Sequence, residues 1–183
     1  MTIAIIIGVI LLLLIIWYFS TYNSLISLRN RKDDQFSQID VQLKRRADLI
    51  PNLVETVKGY TKHESETLEA VIKARNTYLT VTDIDSKVKS SSELSGQLSR
   101  LFALAESYPD LKANTNFEEL QKQLKDLEDK ISYARQFYND SVLMLNNKIE
   151  MFPSNIIAGM FHFTKESFFE ASEKERENVS VKF

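Results

Sequence analysis

The chain has 183 residues, of which 44% are hydrophobic and 26% charged, and its formal net charge is −2. This length suits one domain with a small appendage, and the near-neutral charge gives no reason to expect nucleic acid or a strongly acidic partner. The chain contains no cysteine, which excludes disulfides, thiolate metal sites and thiol nucleophiles.

An uncharged apolar stretch occupies residues 2–20. As a helix, about 18 such residues span roughly 27 Å, close to the hydrocarbon core of a bilayer. A cleaved signal peptide, the competing interpretation, needs basic residues before the apolar run and small residues at a cleavage site. Here no Lys or Arg precedes the apolar core, and Trp17, Tyr18 and Phe19 stand at its end. We therefore predict a transmembrane anchor over residues 1–20, with Trp17, Tyr18 and Tyr22 at the membrane interface.

The basic residues nearest to the apolar stretch all follow it. Arg29, Arg31 and Lys32 come first, and no Lys or Arg precedes the run. The positive-inside rule then places the large C-terminal part in the cytoplasm. We predict a single-pass protein of the cytoplasmic (inner) membrane with its N-terminus outside.

Beyond the anchor, apolar residues recur at three-to-four spacing, which indicates amphipathic helices with narrow apolar stripes. The stripes predict the following core residues: Phe36, Ile39, Leu43, Ile50, Leu53, Val57, Tyr60, Leu68, Val71, Tyr78, Leu94, Leu98, Leu101, Ala105, Tyr108, Phe117, Leu120, Leu124, Leu127, Ile131, Ala134, Tyr138, Val142, Leu145 and Ile149. Strand-like alternation is absent from the sequence. We predict an all-α fold, in which an up-and-down helical bundle follows the anchor.

Polar and proline-containing segments predict where the helices end. Pro51 should kink or restart its helix. The Ser-, Thr- and Asp-rich residues 80–92 read as a connection. Asn116 is placed to cap the longest helix, with Glu119 completing a capping box. Phe152-Pro153 should end that helix.

The last apolar segment runs from Asn155 to Ala171 and is rich in phenylalanine. We expect a short amphipathic helix here. Interfacial helices usually carry several basic residues, whereas this one offers Lys165 beside Glu166 and Glu170. We therefore predict that it docks on the bundle or on a second protomer rather than on lipid. The predicted domains are the anchor (1–20), the bundle (21–153) and the C-terminal helix and tail (154–183).

No combination of residues indicates catalysis, a cofactor or a resident metal. His63-Glu64 resembles half of a metallopeptidase motif, but Thr67 stands where the second histidine is required. Glu64, Glu66 and Glu69 could suggest carboxylate ligation, yet bundle di-metal sites also need Glu-x-x-His pairs, and none occurs. A solvated acidic helix face is the simpler interpretation.

A cluster of charged residues follows the first stripe. Lys44, Arg45 and Arg46 could form a solvated or internally paired face, an anionic-lipid contact or a partner contact. Three charges are fewer than lipid-binding clusters usually carry. Because side chains in the next turns could pair with them, the whole group stays as a candidate partner-facing set: Lys44, Arg45, Arg46, Asp48, Asn52 and Glu55.

Polar residues also lie beside the stripe of the longest helix: Glu128, Arg135, Asn139 and Asn146. A few polar groups at a helix seam can specify register. A polar groove for a partner is the alternative.

Taken together, several segments resemble the LemA family of bacterial membrane-anchored proteins. The resemblance covers nearly the whole chain and rests on Tyr22-Asn23, residues 28–30, 37–46 and 48–60, His63-Glu64, Ala74-Arg75, residues 106–114, Asn116-Phe117, Leu120-Gln121, Ala134-Arg135, Tyr138-Asn139, Phe152-Pro153, residues 168–170 and Phe183. The sequence departs from the family pattern at Leu145, where Tyr is common, and at Asn178, where Pro is common.

The resemblance implies a four-helix bundle of bromodomain-like handedness on an N-terminal anchor, without established enzymatic activity. It also implies partners among membrane zinc peptidases or envelope proteins, and one branch of the family looks like a magnetosome-membrane component.

Three functions are therefore in view. A non-enzymatic scaffold or adaptor would present its bundle to an unidentified membrane protein, with a membrane peptidase among the candidates. An oligomeric, membrane-organising coat would instead contact further copies of itself. An accessory subunit of a membrane peptidase is the third interpretation. The lipid bilayer is an expected partner in each case.

Overall fold

The computed structural model describes residues 1–61 and 63–169, and within these residues the regular structure is entirely helical. Helices connected by short turns are what scarce glycine and proline and three-to-four apolar spacing favour. The helices are α1 (Thr2–Lys58), α2 (Ser65–Thr80), α3 (Ile84–Ala105), α4 (Pro109–Lys112), α5 (Thr115–Glu150) and α6 (Ser154–Met160).

Pro51 does not end a helix, contrary to one expectation from the sequence. α1 continues through it to Lys58. A proline at position 51 cannot donate to the carbonyl of Ala47, four residues earlier. The side chain of Arg75 in α2 donates to that carbonyl instead, with Nε 2.8 Å from the oxygen. An exposed position for the pyrrolidine ring and a replacement donor let the helix continue.

The connection predicted over residues 80–92 is much shorter in the structure. α3 begins at Ile84, so most of that polar stretch is helical. The Asp83 side chain caps the helix by accepting a hydrogen bond from the Ser86 backbone N–H at 2.8 Å. This bond lowers the pKa of the Asp83 carboxyl, because it favours the charged form. Ser90 and Ser91 are buried. These serines therefore pack against neighbouring helices and do not mark a loop.

The cap of α5 also differs from the prediction. The helix begins at Thr115, and Asn114, not Asn116, accepts the hydrogen bond from the backbone N–H of Phe117 at 3.0 Å. Asn114 thus occupies the N-cap, three residues before the donor, where a short amide side chain satisfies an orphan N–H group. The N-cap therefore lies two residues before the predicted Asn116, and Phe117 at the third position has no side-chain acceptor to complete a capping box.

The described residues form two compact units. The first contains Met1–Gln38 and Ala134–Phe168, and the second contains Ile39–Tyr133 and Phe169. The domain boundaries expected from the sequence remain a prediction.

The core of the second unit is built by α1, α2, α3 and α5, with Leu111 of α4. Its buried cluster comprises Ile50, Leu53, Val54, Val57, Leu68, Val71, Ala74, Leu94, Leu98, Leu101, Ala105, Leu111, Phe117 and Leu124. Most of the predicted stripe residues of this unit are buried. Tyr60 is an exception, since 41% of its surface is exposed and its hydroxyl accepts a hydrogen bond from Asn114 Nδ2 at 2.8 Å.

The first unit has its own apolar cluster, in which Leu25 of α1, Leu145 of α5, and Ile157 and Ala158 of α6 are buried. Leu25, Ile157 and Ala158 were not among the core residues predicted from the stripes. Partly buried aromatic residues pack around this cluster, among them Trp17, Tyr18, Tyr22 and Phe163. Residues 17–28 of α1 are therefore packed against the α5–α6 region within this unit.

α6 is shorter than the helix expected over Asn155–Ala171, because it ends at Met160. Its end is a Schellman motif, in which the Phe163 N–H donates to the Ala158 carbonyl (3.0 Å) and the His162 N–H to the Gly159 carbonyl (3.2 Å). His162 has φ of 55°, the left-handed conformation that this motif needs and that glycine usually supplies. Residues 163–169 then continue without regular structure.

Candidate functional site

The N-terminal part of α1 offers an apolar surface with no protein covering. Residues 1–16 are all exposed. Within the described residues, α1 is the one helix long and apolar enough to cross a membrane, and none of its apolar window is buried. Trp17 and Tyr18 are the first half-buried positions. The Tyr18 and Tyr22 rings lie 6.1 and 4.5 Å from the Phe161 ring, measured between centroids.

Five of the six candidate partner-facing residues are exposed on α1. The exposed residues are Lys44, Arg45, Asp48, Asn52 and Glu55. Their spacing of three to four places them along one side of the helix. They form a charged solvent-facing strip in the second unit.

Arg46 does not belong to that strip, and its prediction as a partner-facing residue was wrong. Only 1% of its surface is exposed. Its guanidinium makes a salt bridge with Glu128 of α5. It also donates to the hydroxyls of Ser95 (2.9 Å) and Ser91 (3.0 Å) of α3. A buried arginine needs such a set of acceptors, since burying its charge without them is costly.

The Arg46 cluster, Arg46 with Ser91, Ser95 and Glu128, joins α1, α3 and α5 within the second unit. Two of its members are short serines, which leave room for the guanidinium between the helices. The salt bridge of Arg46 with Glu128 runs between helices rather than along α1. The negative charge that pairs with Arg46 comes from Glu128. The sequence had suggested Glu128 as a residue that sets helix register or lines a groove.

A groove of about 1000 Å³ opens beside this cluster. α3 and α5 form its walls, and Arg46 and Glu128 lie among the lining residues. The α3 wall carries small residues at helical spacing, namely Ser92, Gly96 and Ser99. A Cβ added at Gly96 would meet no atom within 4 Å, so the groove is open at this point. Lys89, Glu93, Arg100 and Lys125 supply mixed charges to the lining.

Two further polar contacts join helices of the second unit. Asp40 Oδ1 accepts hydrogen bonds from the Tyr78 hydroxyl (3.1 Å) and from Lys87 Nζ (2.5 Å). Burial, together with the nearby Asp40 carboxylate, raises the pKa of the Tyr78 phenol. The Tyr108 hydroxyl donates to Glu64 at 3.0 Å, and this bond raises the pKa of Tyr108. These groups are engaged in holding helices together.

The residues considered for metal binding do not converge. Over residues 1–61 and 63–169, no three His, Cys, Asp or Glu side chains are grouped so that they could hold a metal ion. His63 is exposed, and Glu64 accepts the bond from Tyr108. Glu66 and Glu69 are exposed as well.

Comparison with known proteins identifies the family. The LemA family profile matches residues 35–183, which is well over half of the chain. The chain belongs to the LemA family. Protein LemA of Metamycoplasma hominis (strain ATCC 23114) is 29% identical, over 90% of this chain and 75% of that protein. Magnetosome proteins MamQ 1 and MamQ 2 of Paramagnetospirillum magneticum (strain AMB-1) are each 22% identical, over 81% of this chain and 64% of theirs.

Several side chains important to this LemA-family structure were missed from the sequence. Arg75 belongs to the segments that carry the family resemblance, which assigns it no role. Asp40 lies at an ordinary helix position, and Lys87 lies in the stretch predicted to be a connection. One usable signal was Pro51 itself, because a helix that continues through proline needs a donor for the carbonyl four residues earlier. Tertiary partners of this kind are not visible in local spacing.

Asn146 has a defined structural contact in the first unit. Its Nδ2 donates to the Glu166 carbonyl and its Oδ1 accepts from the Glu166 N–H, both at 2.9 Å. The Tyr138 hydroxyl donates to the Ser167 carbonyl at 3.2 Å. Lys32 Nζ lies 3.0 Å from the Glu166 carboxylate. The segment after α6 is thus held by α1 and α5 within the first unit.

Proposed function

We propose that this LemA-family protein is a non-enzymatic membrane scaffold or adaptor. One pass of α1 anchors it in the cytoplasmic membrane, with the N-terminus outside and the helical part in the cytoplasm. The observation that carries the proposal is the continuity of α1, whose exposed apolar stretch and core-forming stretch belong to one helix, Thr2–Lys58. A helical surface without charge and without protein covering favours lipid.

The proposed architecture beyond the anchor is an up-and-down four-helix bundle. Its support is that α1, α2, α3 and α5 each bury apolar residues in the same cluster of the second unit. Helices joined by short turns tend to pack as antiparallel neighbours. The bromodomain-like handedness comes from the family resemblance.

The proposed partner site comprises the α3–α5 groove and the charged strip on α1. Small residues on α3 would let a partner helix approach closely, as small residues do at helix–helix contacts. Mixed charges along the lining would set its register. The occupant we propose is an amphipathic helix of a membrane protein. The strip residues Lys44, Arg45, Asp48, Asn52 and Glu55 would contact a cytoplasmic part of the same partner.

The proposed absence of catalysis follows from how the polar groups are used. A catalytic site needs an acid, a base or a nucleophile converging on a space open to substrate. In the second unit, Arg46, Glu128, Asp40 and Tyr78 instead bond one another or serines across helices. LemA is not known as an enzyme family, which agrees with this proposal.

A membrane-organising coat made of many copies is the second candidate. The observation that favours it is the similarity to MamQ 1 and MamQ 2, which are magnetosome proteins by name. In this alternative the groove would take a helix of a neighbouring copy. An accessory role beside a membrane peptidase is a special case of the adaptor.

Site-specific photo-crosslinking in native membranes tests the scaffold proposal. A photoreactive residue at Ser99, in the groove, should form one discrete adduct with a second protein, and Gly96→Trp should abolish it by filling the groove. The matched control is Lys130, an exposed α5 residue outside the groove lining, which should give no such adduct. Adducts between copies alone would favour the coat, and an adduct unaffected by Gly96→Trp would contradict the groove as the binding site.

Protease accessibility tests the topology. In intact spheroplasts, external protease should leave the part after the anchor undegraded, because the basic residues Arg29, Arg31 and Lys32 favour retention on the cytoplasmic side. The same protease should digest this part after the membrane is permeabilised. Digestion in intact spheroplasts would contradict the proposed orientation.

A further inference from the structure

The turn between α5 and α6 exposes a continuous set of large apolar side chains. Phe152 is 80% exposed, Met151 60%, Met160 59% and Ile156 51%. No residue from 151 to 160 is charged. We call Met151, Phe152, Ile156 and Met160 the apolar corner. Such a cluster on one side of a soluble surface marks an interaction site.

The apolar corner lies beside the end of the apolar stretch of α1, within the first unit. Trp17 and Thr21 of α1 line one cavity, of about 420 Å³, together with Met151, Phe152 and Pro153. The Phe161 ring, just past Met160, contacts Tyr18 and Tyr22. The corner is therefore level with residues 17–22 of α1.

This level coincides with the expected surface of the bilayer. Residues 1–16 have no protein covering, and Phe19 is still 58% exposed. The lipid-facing surface of α1 therefore continues past Trp17, while the polar residues Ser20, Thr21 and Asn23 follow. Tryptophan and tyrosine at such a transition occupy the headgroup region. Groups packed beside Trp17 and Tyr18 must lie in the same layer.

Lys165 and Glu166, two of the charges that argued against lipid contact, lie after α6 and not in the corner, while Glu170 lies outside the described residues. Lys165 pairs with Glu150, and Glu166 pairs with Lys32. These carboxylates are therefore compensated, and the corner itself is uncharged. The other side of α6, with Ile157 and Ala158, is buried on the protein. α6 thus has one side docked on the protein and one side free.

We propose that the apolar corner inserts into the interfacial layer of the bilayer that α1 crosses, as a second membrane contact. The inference rests on the anchor in the proposed function and adds a lipid-binding surface to it. The corner contacts lipid at the boundary between acyl chains and headgroups, because it is continuous with the aromatic end of the spanning helix. Two contacts at one bilayer surface would restrain the tilt and rotation of α1 where it leaves the membrane.

Depth-dependent quenching of a fluorophore on single cysteines tests this inference. The chain has no cysteine, so each introduced thiol is unique. The full chain is reconstituted in phosphatidylcholine–phosphatidylglycerol vesicles and labelled at Phe152→Cys, with Ile156→Cys as a second corner position. Phe137→Cys is the aqueous control, because Phe137 is 58% exposed and lies on α5 of the same unit. Phe19→Cys is the lipid control.

Labels at positions 152 and 156 should be quenched by nitroxide lipids and protected from aqueous iodide, like the label at 19 and unlike that at 137. If they behave like the label at 137 while position 19 is lipid-quenched, the corner is in water and the inference fails, although the anchor stands. Protection from both quenchers would show that protein covers the corner and would also overturn it. If position 19 is itself quenched by iodide and not by lipid, the anchor fails together with the inference.

Discussion

At the scale of single residues, polar side chains repair or join helices in this structure. The contact between Arg75 and the Ala47 carbonyl is the clearest case. Ala47 is fully buried, and Pro51 cannot supply the usual N–H to its carbonyl. A buried carbonyl left without a donor costs about 1–3 kcal/mol. Arg75 Nε, at 2.8 Å, removes that cost.

A double-mutant cycle tests this pairing. Arg75→Met should lower the free energy of unfolding by about 1–3 kcal/mol, because the Ala47 carbonyl loses its donor. In a Pro51→Ala background the restored backbone N–H can reach the same carbonyl, so the cost of Arg75→Met should fall clearly. Urea unfolding of the full chain in detergent micelles measures both. An equal cost in the two backgrounds would show that Arg75 acts through some other contact.

At the scale of elements, a side-chain amide holds the segment after α6 through the same pair of hydrogen bonds that a backbone peptide group would make. The Asn146 amide of α5 bonds both the N–H and the carbonyl of Glu166. A carboxylate at position 146 could still accept from the N–H, but it could not donate to the carbonyl and would face that oxygen as a charge. Short irregular segments depend on few such bonds.

Asn146→Asp should therefore loosen residues 163–169 without unfolding the helices. The expected loss is about 1–3 kcal/mol, concentrated in local opening. Hydrogen exchange at the Glu166 amide should accelerate, while amides in the middle of α5 stay protected. Asn155→Asp, at an exposed position in the same unit, is the matched control and should change neither. Unchanged Glu166 exchange in Asn146→Asp would contradict the role assigned to Asn146.

At the scale of the whole molecule, the helical class and most of the core followed from apolar spacing. Leu43, Leu53, Leu101 and Ile131 are buried as their three-to-four pattern predicts. The positions that failed depend on partners distant in sequence. Arg46 is charged and locally resembles its exposed neighbour Arg45, and only the serines of α3 and Glu128 of α5 explain its burial.

The ends of elements were equally hard to predict, because local composition allows more than one outcome. A serine-rich stretch is typical of a loop, but it is also compatible with a helix whose serines are buried against neighbouring helices, as Ser90 and Ser91 are. The C-terminal phenylalanines read as one helix, yet His162 takes the left-handed conformation and ends it. For the candidate site, five of the six residues proposed from the charged cluster on α1 are exposed, whereas the α3–α5 groove depends on how two helices are paired.

Each unit contains a group that should destabilise the fold at alkaline pH. Lys32, 5% exposed, has its pKa raised: desolvation alone would lower it, but the bonds to Asp33 and Glu166 outweigh that effect. Burial and Asp40 raise the pKa of Tyr78 in the second unit. A group with a raised folded-state pKa contributes stability that is fully present below its unfolded pKa and is lost as pH rises through the folded value. For lysine and tyrosine the unfolded values are about 10.4 and 10.

Between pH 7 and about pH 9, the titration of Lys32 and Tyr78 should therefore not change the free energy of unfolding. Above about pH 10, the free energy of unfolding should fall. Unfolding midpoints in detergent micelles from pH 7 to 12 measure this. Tyr78→Phe removes one titrating group and Lys32→Met the other, so each should flatten part of the alkaline decline even though each costs stability at neutral pH through lost hydrogen bonds. Tyr133→Phe, at a residue 66% exposed, should leave the decline unchanged. If the slope above pH 10 is the same in Tyr78→Phe, Lys32→Met and the wild type, neither buried contact governs alkaline unfolding.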